Sequence, residues 1–165
     1  MTLIEFAELL YDSELGTSLR ESIYAYPIVE GIHLIGLAFS VGLLFFVDLR
    51  LLGLFLPNIS VSALLHPLRP LILGSFAVTM VTGILLFVAS ASKIILLDVF
   101  FYKLIFIVLA GVNALWFELK WGKHVDHWEF EKLLPKSVQY AGGISLFLWS
   151  LVLISGRLIP YLNYK

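Results

Sequence analysis

Four apolar stretches, each long enough to cross a bilayer, take up most of the 165 residues, and they narrow the possible folds more than any motif does. A transmembrane helix needs roughly 20 apolar residues in a row. Residues 25–48, 70–91, 99–120 and 138–160 meet that need. In hydrocarbon every backbone N–H and C=O must be bonded internally, which leaves helices or a closed barrel. Barrel strands alternate apolar and polar side chains, and these runs do not. The expected fold is therefore all-α: a polytopic membrane protein, one four-transmembrane-helix bundle over residues 1–165, with no soluble domain. Hydrophobic residues make up 60% of the chain and charged residues 14%, against about 25% charge in soluble domains.

The rest of the chain reads as connections. Residues 2–13 predict a short interfacial helix, because Glu5, Glu8 and Asp12 share one face while Leu3, Ala7, Leu10 and Tyr11 fall largely on the other. No cleavable signal pattern is expected there, since no Lys or Arg precedes Arg20 and four acids interrupt the segment. Residues 57–70, with proline at both ends, predict an interfacial turn. Ser90, Ser92, Lys93 and Asp98 mark the bend between the second and third spans, and residues 118–136 form the one strongly charged loop. Arg50, Arg69, Lys120, Lys123, Lys132 and Lys136 fall on one side, six in all, against Arg20, Lys93 and Lys165 on the other. The positive-inside rule then places both termini outside the cytoplasm.

Charges inside apolar spans cost several kcal/mol each unless paired, so those that occur are candidates for function. Glu30 and His33 lie early in the first stretch, Lys103 early in the third and Arg157 late in the fourth. The back-and-forth path puts all four within about one helical turn of a common depth. They are read either as ion pairs, Glu30 with Arg157 or Lys103, that lock the helices together, or as a binding site. In the second case His33 is a haem ligand or proton carrier, and Lys103 and Arg157 balance haem propionates, a quinone or an anionic substrate. His66, His124 and His127 sit near the opposite edge, where His66 with one of the other two could hold a second haem. Small residues stripe every span, among them Gly36, Ser40, Thr79, Gly83, Ala110, Gly142 and Gly143. They serve close helix packing, or else clear room for a flat cofactor. Asn113 is expected to bond between helices.

The composition excludes other classes. There are no cysteines, so disulfides, thiolate metal sites, iron–sulfur clusters and cysteine nucleophiles are absent. A net charge of −1 with no basic stripe argues against nucleic acid. No phosphate-binding glycine loop, HExxH or GxSxG occurs.

The runs E-S-I-Y-A-Y-P-I-V-E-G-I-H-L-I-G-L-A (21–38), D-L-R-L-L-G (48–53) and S-L-F-L-W-S-L-V-L-I-S-G-R-L-I-P-Y (145–161) carry a resemblance. They resemble a family of small four-helix bacterial inner-membrane proteins of unknown function, and the likeness spans nearly the whole chain. More loosely, the chain is similar to b-type membrane cytochromes and copper-resistance four-helix membrane proteins, though those carry two or more intramembrane histidines. The resemblance implies a bacterial inner-membrane location. The leading expectation is a membrane electron-transfer protein binding haem b or a quinone through Glu30, His33, Lys103 and Arg157. The alternatives are a non-catalytic accessory subunit of a larger membrane complex, or of a homo-oligomer, and a small proton-coupled transporter.

Overall fold

The computed structural model describes residues 1–122, 125 and 134–162. The described residues form six helices: α1 (Leu3–Tyr11), α2 (Glu14–Glu21), α3 (Ala25–Leu51), α4 (Val61–Ile94), α5 (Asp98–Lys120) and α6 (Lys136–Leu162). Helices α3 to α6 are each long and apolar enough to cross a membrane. The chain is a multi-pass, all-α, four-span bundle. One end, here called the terminal face, gathers α1, α2 and the starts of α3 and α5; the other, the loop face, carries the connections after α3 and α5.

The N-terminal segment is held by side-chain caps. The Thr2 hydroxyl accepts from the Glu5 amide at 3.2 Å, and the Glu5 carboxylate accepts from the Thr2 amide at 2.9 Å. This reciprocal pair satisfies two donors that a helix start leaves open. The sequence predicts one helix over 2–13; the structure adds α2, which starts when Ser13 accepts from the Gly16 amide at 3.1 Å. A Cβ on Gly16 would lie 2.7 Å from the Tyr11 carbonyl oxygen, so only glycine allows this tight hairpin. Helix α1 does not lie alone on a surface. Its Ala7, 1% exposed, packs against Ala91 and Ile95 near the end of α4.

Helix α4 corrects the expected turn at 57–70. Ser60 caps its start by accepting from the Ala63 amide at 3.2 Å, and Pro67 and Pro70 lie inside the helix. An interior proline removes a hydrogen bond and costs about 3 kcal/mol. Packing offsets that cost: Val61, Leu65 and Ile72 are buried in one core cluster with Val47, Leu51 and Val138. With 34 residues α4 is about 51 Å long, well beyond a hydrocarbon core of about 30 Å. Its regular backbone breaks at Ser90 (φ −132°, ψ 15°), near the bend expected from the sequence. At the loop face α3 ends when Gly53 takes φ +74° and the Leu54 amide returns to the Leu49 carbonyl at 3.0 Å.

In the bundle α3 packs between α4 and α6, and α6 between α3 and α5. Small residues set these approaches. A Cβ on Gly36 would come within 2.7 Å of the Thr79 hydroxyl, and one on Gly142 within 3.1 Å of the Asp48 carbonyl oxygen. The Asn113 amide donates to the Ala141 carbonyl at 3.0 Å, joining α5 to α6 as expected. Arg69 bonds Glu118 at 3.0 Å, tying α4 to α5 at the loop face.

Candidate functional site

His33 sits two turns into α3 because the face carrying residues 33, 37, 40, 44 and 48 turns inward along the whole helix. Its Nδ1 lies 3.1 Å from the Thr79 carbonyl oxygen and 3.0 Å from the Thr82 hydroxyl. The carbonyl can only accept. The Thr82 hydroxyl already donates to the Val78 carbonyl at 2.7 Å. Nδ1 therefore carries the hydrogen, and in the neutral ring Nε2 carries the lone pair. The imidazole lies over Gly83, where a Cβ would come within 3.2 Å of its Cε1. Glycine at 83 makes room for the ring.

Lys103, on the second turn of α5, reaches across to α6. Its Nζ lies 3.4 Å from where a Cβ of Gly156 would stand. The amine has no hydrogen-bond or ion-pair partner among the described residues. It is close enough to His33 for its charge to act on the ring, and so is Glu30. The histidine, the lysine and the acid thus share one neighbourhood at the terminal face.

Arg157 does not join them. It is exposed, it donates from Nη2 to the Tyr161 hydroxyl at 2.8 Å, and its guanidinium lies 5.1 Å from the centre of that ring. The expected ion pair between Glu30 and Arg157 does not form, nor does one between Glu30 and Lys103, and Glu30 is exposed. The four-residue cluster reduces to His33 and Lys103 with Glu30 at its edge. His66 is exposed near the start of α4, thirteen residues from Thr79 and so about 20 Å away along the helix. His124 and His127 lie outside the described residues. Among the described residues no three metal-ligating side chains gather.

Two charges near the end of α3 are buried. Asp48 is 3% exposed and Arg50 2%. Ser145 of α6 lies close to the Asp48 carboxyl, and Arg50 Nε donates to the Ile59 carbonyl at 2.6 Å, tying α3 to the following connection. Asp48 Oδ2, Arg50 Nη1 and Trp149 Nε1 are buried with no partner among the described residues. For Asp48 the signal was in the sequence, since 33, 40 and 48 fall on one helical face. Arg50 is off that face and had no such signal. Asp48 is fifteen residues from His33, about 22 Å along α3, and so belongs to the other end of the bundle. The chain matches no family model, no curated protein and no solved structure.

Proposed function

We propose that the chain is a membrane electron-transfer protein whose His33–Lys103 level holds the head group of a quinol. One observation carries the reading. The bond from Nδ1 to the Thr79 carbonyl leaves Nε2 as a proton acceptor, within electrostatic reach of the Lys103 amine, which has no partner among the described residues. A quinol hydroxyl suits both groups. Its O–H bond breaks, the proton goes to Nε2, and the electron pair stays on oxygen as a phenolate beside the Lys103 ammonium. A one-electron carrier in a partner membrane subunit then takes two electrons one at a time, and the proton of the second hydroxyl leaves to the water at the terminal face, which gives the quinone. The bilayer supplies the apolar path by which such a ligand arrives.

A haem on His33 is the second form of this reading, since ligating histidines are commonly held by a carbonyl on their other nitrogen. A bis-histidine haem does not fit the described residues. No second described histidine lies at this depth, and the spaces left by Gly36 and Gly83 are filled by Thr79 and His33. The proposed location is a bacterial inner membrane with both termini outside the cytoplasm, on the balance of basic residues. A non-catalytic accessory subunit is the alternative function, and purification in fixed stoichiometry with a larger membrane enzyme would favour it.

The test is the cofactor content of the full chain purified in detergent. The wild type is expected to retain extractable quinone above the quinone-to-phospholipid ratio of the host membrane. His33→Gln and Lys103→Met should lose that excess while unfolding at similar temperatures. Equal quinone in all three proteins would remove the proposal. A Soret band abolished by His33→Gln would select the haem form instead.

A further inference from the structure

A cavity of about 260 Å³ opens at the terminal face, lined by Tyr11, Arg20, Tyr26, Ala89, Ser90 and Lys93. A water molecule takes about 30 Å³ of liquid volume, so the space holds a tetrahedral oxyanion and part of its substituents. The α1–α2 hairpin supplies one wall, and the seam of α3 with α4 the other. Tyr26 and Ser90 stand seven residues from His33 and Gly83 along that seam, about 10 Å toward the helix ends. The cavity is therefore separate from the His33 site.

Its lining is chemically one-sided. It contains two cations, three hydroxyl groups and no carboxylate. Arg20 is set in place: its guanidinium stacks 3.6 Å from the centre of the Tyr11 ring, and Nη1 donates to the Tyr11 carbonyl at 2.9 Å. A further bond to the Thr17 hydroxyl, at 3.4 Å, uses a second donor. Five donors less two leaves three N–H groups in a fork that suits an oxyanion. Among the described residues, the hydroxyls of Tyr11, Tyr26 and Ser90 and the ammonium of Lys93 have no hydrogen-bond partner. Ser90 is also where α4 leaves helical geometry. Such a donor-rich hollow is completed by a ligand that is anionic and rich in acceptors. At the end of a membrane bundle, phosphate oxygens are the acceptors at hand.

We propose that this cavity binds the phosphate group of a phosphate ester, with Arg20 and Lys93 holding its oxygens and the three hydroxyls completing their bonds. The group comes either from a phospholipid head or from a free phosphate, and the measurement separates the two. Native mass spectrometry of the full chain in detergent would be titrated with phosphatidylglycerol, phosphatidylcholine and inorganic phosphate. The variants are Lys93→Gln, Arg20→Gln and Tyr26→Phe. Lys93 is exposed and Tyr26→Phe removes one hydroxyl, so neither is expected to unfold the chain.

Phosphatidylglycerol is expected to bind at unit stoichiometry, about tenfold more weakly to each cation variant and several-fold more weakly to Tyr26→Phe. Displacement by inorganic phosphate would assign the site to free oxyanions as well as lipids; binding of lipid alone would assign it to head groups. Equal loss of both lipids in the variants would show that the diester is recognised whatever the head-group charge. Affinities unchanged by Lys93→Gln and Tyr26→Phe would overturn the proposal. Lower thermal stability of the cation variants with unaltered lipid binding would overturn it too, because the cations would then only cap helix ends.

Discussion

At the scale of single residues, the bundle turns on glycines that are filled by named partners. Gly36 and Gly83 look alike in sequence but face different neighbours. A Cβ at 36 meets the Thr79 hydroxyl at 2.7 Å, and that hydroxyl is itself fixed by donating to the Ser75 carbonyl at 2.9 Å. Gly36→Ala should therefore destabilise the protein by about 1–3 kcal/mol through overpacking, read as a lower midpoint of thermal unfolding in detergent. At 83 the neighbour is the edge of the His33 ring, 3.2 Å away, which would have to shift by only a few tenths of an ångström. Alanine also gains about 1 kcal/mol over glycine in helix propensity. Gly83→Ala should leave the unfolding midpoint nearly unchanged while lowering quinone retention several-fold. If Gly83→Ala unfolds the chain as strongly as Gly36→Ala, the imidazole is a packing group and not a mobile acceptor. The same positions show what could be read in advance. The inward face of His33 was legible from its spacing with Leu37 and Ser40, although Glu30, which falls on the same spacing, is exposed. The outward turn of Arg157 was not, because a long side chain chooses among neighbours that only the folded helix ends provide, here Tyr161 one turn on.

At the scale of elements, hydropathy located the spans and local breakers misplaced one end. The apolar runs expected at 25–48, 99–120 and 138–160 coincide closely with α3, α5 and α6. Helix α4 starts nine residues before its expected span, at Val61 instead of residue 70. Prolines at 67 and 70 are correctly read as unfavourable for a helix interior. Burial of Val61 and Leu65 against Val47, Leu51 and Val138 nevertheless outweighs them. If so, Pro67 still weakens the element it occupies. Pro67→Ala should restore an amide donor for the Ala63 carbonyl and stabilise the protein by about 1–3 kcal/mol, seen as a raised unfolding midpoint. A lowered midpoint would mean that the proline's own bend is needed for packing. The hairpin of α1 and α2 was half legible: Thr2 and Glu5 announce a capped start, whereas the docking of Ala7 onto Ala91 and Ile95 depends on a distant part of the chain.

At the scale of the whole molecule, the two polar levels lie at opposite ends of the bundle. His33 and Lys103 belong to the terminal face, and Asp48 and Arg50 to the loop face, with an apolar layer of Val41, Ala110, Leu148 and Val152 between them. Which level faces the cytoplasm follows, on our proposal, from the six basic residues against three. The absence of cysteine makes a direct check simple. Single cysteines at Ser22 and at Asn58 should react oppositely with a membrane-impermeant thiol reagent on intact cells. Ser22→Cys is expected to be labelled, and Asn58→Cys only after the membrane is opened. The reverse pattern would invert the orientation and place the His33 level toward the cytoplasm.

What the sequence determined alone is the class of solvent and the number of crossings. Runs of about 20 apolar residues need no partner to declare themselves, because each span meets its backbone hydrogen bonds internally. The face on which His33 lies followed from the same local periodicity. The tertiary structure decided which charges are buried, which meet, and which turn away. Asp48 and Arg50 are enclosed, Lys103 crosses to α6, and Arg157 leaves the site. Those outcomes depend on helix rotation and on close approaches at Gly83, Gly142 and Gly156. Both are set by packing between segments far apart in the chain, which a one-dimensional pattern does not contain.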